Sequence, residues 1–543
     1  MSAALLALLV GCADPPVASP PAASAPVDPH LPLSQARLLR RMSLDLRGTL
    51  PTLAELDALA GGESTLDELR DAYLGDPAFE ERFVHILAKS YRTQVDDFLV
   101  RYDKYPSLAV DPTVEYAFER AVGDEPLRLA ARVAATDLPW STIVTADWSM
   151  ANEITGPLWP VDYPEGGTGW QEVRYTDGRP AAGILATNGL WWRYFTTVSN
   201  YNRGRVAALS RLLLCEDYLA REVTVQGFTD TTDVEDNLRG NPYCLGCHAS
   251  IDPIAATLFG FWPANEYNID EIQRYHPERE PLGPYLLDVE PSWFGTPVTS
   301  LADLGQHVAA DPRFASCTVE TAASLLWQRD VVPGDAAALA EVRAAYLADP
   351  RMKTVLRAVT DGGRYRAGNL ADDASEEQRA TEVLIRQLDA PLLASVLEDL
   401  SGFTWTWEGF EQLRSDTYGY RVLGGGVDGI FQTRSLSSPN VTWLLLMRRV
   451  AESAAVAAVN DELVGTAERR VFTHVSLADQ PGDGPFTEEL TALHRRLYGD
   501  APEAAWQADV EALWSAAAAD ADPAEAWRTT LAALLQDPAF VSY

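Results

Sequence analysis

The chain has 543 residues, 47% of them apolar and 22% charged, with a formal net charge of −35. Such a length calls for two or three domains, and the composition excludes a chain disordered throughout. The acidic balance repels phosphate backbones, which argues against a nucleic-acid partner.

In chain order, residues 1–12 read as a lipoprotein signal. Leu5–Val10 is an apolar run, and Leu9-Val10-Gly11-Cys12 resembles the lipobox of bacterial lipoproteins. That resemblance implies cleavage before Cys12 and lipid on its sulfur. The membrane is then the first expected partner, each buried methylene contributing about 0.8 kcal/mol. The run lacks the basic n-region of a usual signal, and the alternative is an apolar N-terminus with a chance cysteine. Residues 13–33, rich in Ala, Pro and Ser, are expected as an extended tether. No later run reaches the length of a membrane span; Val441–Met447 stops at Arg448 and Arg449.

Residues 34–125 are expected as an N-terminal helical domain. Ser34 suits a helix cap, and Thr52-x-x-Glu55 and Thr65-x-x-Glu68 have the form of capping boxes. Asp-Pro-x-Phe recurs at Asp76–Phe79, Asp311–Phe314 and Asp537–Phe540, with a Met variant at Asp349–Met352. Asp caps, Pro takes the first helical position, and the aromatic anchors the new helix. Residues 126–360 form the central region. Its stretch Pro139–Tyr201 carries many Trp, Gly and Pro and reads as loops, with a short hairpin near Glu172–Arg174. Asp230, Asp233, Glu235 and Asp236 read as a solvated acidic loop in preference to a calcium site. Residues 361–378 are expected as a linker and 379–543 as a C-terminal helical domain. The glycine-rich Tyr418–Gly429 has no Gly-Lys-Ser/Thr ending, so it reads as tight turns and not as a phosphate loop. The expected fold class is mainly α: a multi-domain helical protein with a loop-rich, aromatic-rich central region.

The five cysteines carry the chemistry. Cys244-Leu245-Gly246-Cys247-His248 has the pattern of c-type haem attachment. Two thiols three residues apart reach the two vinyl groups on one porphyrin edge, and the adjacent imidazole meets the iron. Zinc would need further ligands, and no second CxxC or HxxxH is present. A dithiol redox motif would follow a strand in a thioredoxin-like pattern, which is not seen. With Cys12 lipidated and Cys244 and Cys247 on haem, Cys215 and Cys317 remain, and an oxidising compartment favours their pairing over two thiols that never meet.

Arg179-Pro-Ala-Ala-Gly-Ile-Leu-Ala-Thr187, Arg203-Gly-Arg205, Leu212-Leu-Leu-Cys215 and Asn241–Pro253 around CxxCH together resemble the exported cytochrome-c-like proteins abundant in planctomycetes and myxobacteria. Leu44-Asp-Leu-Arg-Gly-Thr-Leu-Pro-Thr52 is similar to an element of related N-terminal domains. The resemblance implies a cytochrome-c-like central region and a periplasmic or surface-exposed haem protein, and it supplies no substrate. Ala255 and Ala256 depart from it where a Gly is expected.

The leading expectation is electron transfer at the bacterial cell envelope. It involves one covalent haem c, His248 as proximal iron ligand and an unidentified redox partner. Met150 or His276 is the candidate distal ligand. One alternative is a haem peroxidase-like or sensing protein with an open iron position. Another is a non-haem surface protein that binds polysaccharide through its aromatics.

Overall fold

A computed structural model describes residues 29–96, 111–221, 238, 240–263, 274–436 and 438–543. Cys12, most of the expected tether and the acidic residues Asp230 to Asp236 lie outside the described residues. The described chain is mainly helical, its strands confined to two-stranded antiparallel pairs, as the sequence leads one to expect.

Local signals set the helix starts. Ser34, Thr52 and Thr65 cap the helices Gln35–Leu46, Leu53–Gly61 and Leu66–Gly75, the last two through complete capping boxes. At all three Asp-Pro-x-Phe sites the Asp side chain accepts from the backbone N–H two residues on, at 2.7–2.9 Å. Phe79, Phe314 and Phe540 are buried. At the Met variant Asp349 is not the cap. The helix there starts at Met352, which is itself buried.

Two large cores result. The first gathers side chains from Leu38 to Tyr91 and from Leu127 to Tyr365. The second is built from the helices Ala390–Ser401, Val441–Val459, Gly484–Tyr498, Ala504–Asp520 and Pro523–Gln536. Ala451, Ala454, Ala455 and Ala458 are buried along the longest of these, letting Pro523–Gln536 approach closely. The first helix serves both cores: Leu38, Leu39, Met42 and Leu46 face one, and Leu44 the other.

Three expected boundaries fall differently in space. The division at 125/126 lies inside one helix, Pro112–Ala135, and both sides of it join the first core. Pro126 lacks the N–H that Val122 O would accept within the helix. Gly189 packs there instead, where a Cβ would stand 2.0 Å from that oxygen. Within the last residues of the expected tether, His30–Pro32 pairs as a strand with Ala367–Leu370. That partner belongs to the stretch expected as a linker, which also buries Tyr365. The hairpin expected near Glu172 is a longer-range pair, Ser149–Ala151 with Gln171–Val173. Tyr418–Gly429 is a run of turns and bends.

The aromatic stretch is held by a buried carboxylate. Glu125 Oε1 accepts from Ser149 Oγ (2.8 Å) and Tyr175 OH (2.6 Å), and Oε2 accepts from Gly189 N (2.8 Å). Burial pushes this carboxyl from 4.5 up to about 6, against the lowering pull of its donors and of Arg179. Below pH 4.5 the group is neutral folded and unfolded, and above 6 it is ionised in both. In between, the folded chain keeps its proton longer, so this contribution to stability falls as pH rises, by about 2 kcal/mol in all. The stability of wild type minus that of Glu125→Gln, from urea unfolding, is therefore expected to drop by about that amount between pH 4 and pH 7. A difference that stays flat with pH contradicts this assignment.

Candidate functional site

The CxxCH motif opens the helix Pro242–Ala255. Asn241 caps it by accepting from Tyr243 N at 2.9 Å, and Pro242 takes the first position. Residues 244, 247, 248, 251, 252 and 255 share one helical face. Its far half, Ile251, Asp252 and Ala255, is buried, while Cys244 and Cys247 are half-buried and not bridged to each other. Cys247 packs at the edge of the first core. The stretch Pro242–Phe261 is long and apolar enough to cross a membrane by length and composition, but half of it is buried inside the protein. Packing accounts for its apolarity.

The imidazole is oriented. His248 Nδ1–H donates to Asp252 Oδ1 at 2.9 Å, one turn away, and the His248 side chain keeps 20% of its exposure. Its Nε2 has no hydrogen-bond partner among the described residues. Asp252 is in turn gripped by Arg203, whose Nε and Nη2 donate to Oδ1 and Oδ2 at 2.9 and 3.0 Å. Burial alone would raise the Asp252 carboxyl. The hydrogen bonds from His248 and Arg203, together with Arg203's charge, outweigh it and hold the group below its ordinary range.

Arg203 and Arg205 open the helix Arg203–Leu214, next to Asn202 in the left-handed region. Arg205 is buried and ties three segments together through Asn202 Oδ1 (3.0 Å), Phe261 O (2.8 Å) and Trp191 O (3.2 Å). Burial pushes its pKa down to about 9. Tyr201 stacks on Phe259 and Phe259 packs on Trp262, an aromatic wall beside the Arg203 guanidinium.

Cys215, the left-handed cap of that same helix, is disulfide-bonded to Cys317, 102 residues on. On the loop-entropy model such a link contributes about 3–5 kcal/mol. The bond anchors the segment that flanks the motif. There Tyr218 OH meets Ser250 Oγ at 2.9 Å, and Arg221 Nη1 lies 3.9 Å from Cys247 Sγ.

The candidate distal ligands sit on other elements. Met150 is fully buried on the strand Ser149–Ala151. His276 Nδ1 meets Glu278 Oε1 at 3.0 Å, and its backbone N–H donates to Gly260 O. Neither Asp252 nor Arg203 was expected as a functional residue. The i+4 spacing from His248 could have pointed to Asp252; Arg203 lies in the Arg203-Gly-Arg205 element of the resemblance, but nothing in its sequence surroundings pairs it with Asp252.

The donor set fits a c-type haem: two unbridged thiols one turn apart and an imidazole whose Nδ1 is tied while Nε2 is left for a metal. Among the described residues no group of three or more His, Cys, Asp or Glu side chains is gathered for a metal ion. A haem iron asks this motif for one imidazole only. No protein-family model, curated protein or solved structure matches the chain.

Proposed function

We propose that this chain is an envelope-anchored c-type cytochrome, resembling the exported cytochrome-c-like proteins, that transfers electrons through one covalent haem. Cys244 and Cys247 are its attachment sites and His248 its proximal ligand. Lipid on Cys12 holds it to the membrane, on the periplasmic side or at the outer surface, where it meets a redox partner. The single observation that carries this reading is the arrangement around His248. Asp252, itself held by Arg203, fixes Nδ1 as the protonated nitrogen and leaves Nε2 free for a metal, on the same helix face as two unbridged thiols. Bound haem would supply the one-electron couple.

The full chain, co-expressed with a bacterial cytochrome c maturation system and assayed as the pyridine haemochrome, is expected to carry one haem per chain that survives acid acetone. Colourless protein, or pigment that washes out, rejects the reading.

The Asp252 carboxylate increases the donor strength of the imidazole and so favours the more positive iron state. Asp252→Asn is expected to keep full haem content but to raise the midpoint potential by on the order of 60 mV, the shift that about 1.4 kcal/mol makes for one electron. An unchanged potential with haem retained removes Asp252 from this positioning role.

One observation favours a second reading. Met150 is fully buried on its strand and His276 Nδ1 is held by Glu278; a bound haem that took neither as a ligand would be open to peroxide or another small molecule. A high-spin spectrum that shifts with carbon monoxide selects this reading; a low-spin spectrum that ignores it selects electron transfer.

A further inference from the structure

A cleft of about 640 Å³ opens between the two cores, away from the CxxCH helix. Three helices, Pro77–Tyr91, Arg203–Leu214 and Pro312–Trp327, end on it, and their left-handed cap residues Arg92, Cys215 and Gln328 all line it. Helix C-termini carry partial negative charge, which explains part of the positive charge gathered here. Arg211 donates to Ser90 O (3.2 Å) and Tyr194 OH (2.5 Å), and Arg193 donates to Arg92 O (2.6 Å) and Gly429 O (2.7 Å). Other cations at the rim are already neutralised: Lys89 by Asp389, Arg329 by Asp335 and Arg434 by Asp330.

Arg92 is different. Its guanidinium has no hydrogen bond or ion pair among the described residues, and its Nε is buried. Burial, with the charges of Arg211 and Arg193, holds its pKa below that of an ordinary arginine. Among the described residues Arg92, Arg193 and Arg211 stand together without an ion pair; Asp217 acts on Arg92 and Asp428 on Arg193 from farther off, and burial and mutual repulsion outweigh both. An anion in the cleft would relieve that repulsion. The rest of the lining carries hydroxyl and amide groups, among them Gln328, Thr433 and Ser435; Gln328 Nε2 donates to Tyr543 OH and Ser435 Oγ to Asp389 Oδ2, which leaves Gln328 Oε1 and the Ser435 oxygen to accept from a ligand. Glu320, also on the lining and pushed up in pKa by burial, is an acceptor for ligand hydroxyls.

We propose that this cleft binds a hydroxylated carboxylate of the sugar-acid class, with Arg92 and Arg211 on the carboxylate and Glu320, Gln328, Thr433 and Ser435 around the hydroxylated body. The planar guanidinium fork matches a carboxylate in two parallel hydrogen bonds. The volume falls within that of small-molecule sites, which favour the seams between domains. A bare phosphate or sulfate would leave most of that space wet and the hydroxyl side chains unused.

Isothermal titration of the full chain tests this with D-galacturonate, D-galactose and inorganic phosphate as separate probes. Saturable binding of galacturonate is expected, with none of galactose, and at least a tenfold weaker affinity in Arg92→Gln. Arg92→Lys keeps the charge but loses the fork and should fall between the two. Arg92 holds no side-chain partner, so these variants should unfold at the wild-type temperature. Thr433→Val is a second variant, expected to weaken binding through the body of the ligand without touching the charge. The proposal is overturned if galacturonate gives no binding, if galactose binds equally well, if phosphate alone binds, or if Arg92→Gln binds as wild type does. None of these outcomes depends on whether the chain carries haem.

Discussion

Asp45→Ala is expected to destabilise the fold by about 3–5 kcal/mol, the cost of leaving a buried charge without its partner. Asp45 lies between Leu44, which enters the second core, and Leu46, which enters the first. Its Oδ2 accepts from Arg386 Nη1 (2.6 Å) and Tyr365 OH (2.9 Å), and its Oδ1 accepts from Tyr543 OH (2.7 Å). Burial pushes both tyrosines up, so they remain neutral donors at any physiological pH. Alanine would orphan two phenols and a guanidinium that is 1% exposed. It would also place Arg386 and Arg41, which already repel one another, in the same apolar space. Asp45→Asn keeps an acceptor and should lose less. Because the hub joins the N-terminal helix to Tyr365 on the short helix Gly363–Arg366, to Arg386 and to Tyr543, the loss should also uncouple the two cores. Urea unfolding of Asp45→Ala is expected to show a lower midpoint and two separable transitions where wild type shows one. A shift under 1 kcal/mol with a single transition would mean that the cores hold together without this carboxylate.

Sequence reasoning succeeded where the physics is local. A capping box closes within three residues, so Thr52, Thr65 and the Asp-Pro-x-Phe starts could be read directly. The Cys215–Cys317 bond is reachable without geometry, because the expected lipid on Cys12 and haem on Cys244 and Cys247 leave only this pair. The misplaced features depend on partners distant in the chain. Nothing near Pro126 announces that Gly189 will pack against the carbonyl it leaves free. Nothing in His30–Pro32 names Ala367–Leu370 as its mate. The candidate site divides in the same way: Cys244, Cys247 and His248 announce themselves by spacing, whereas the Arg203 that steadies Asp252 comes from 49 residues earlier. Asp45 shows the same limit inside the Leu-Asp-Leu element. Its position on the first helix is legible, but its three donors arrive from beyond residue 360.

Replacement of both Cys244 and Cys247 by alanine is expected to abolish covalent haem while leaving the chain folded. The two thiols are half-buried, unbridged and near the exposed start of their helix. Truncation there removes little packing, and alanine is the better helix former. The disulfide that does brace this region, Cys215–Cys317, is untouched, and Asp252 still joins the motif helix to Arg203. The thermal midpoint of the haem-free protein should therefore match that of haem-free wild type within a few degrees, since about 1 kcal/mol moves a large domain by only 2–4 °C. Each single replacement leaves one thiol for one vinyl group, so it should retain a reduced amount of pigment with the altered α-band of a half-attached porphyrin. Haem staining on denaturing gels separates these cases: full signal in wild type, a weaker signal in each single variant, none in the double variant. If the double variant keeps a stain that resists acid acetone, attachment runs through some other group. If instead it unfolds at the temperature expected after losing a core contact, the two sulfurs are structural and the motif's spacing is coincidental. Cys247 meets only the rim of the first core, through the segment that Tyr218 and Arg221 hold beside it. A sulfur kept for structure would lie deeper, as that of the disulfide-bonded Cys317 does at 1% exposure, and this contrast is the physical reason to expect loss of pigment before loss of fold.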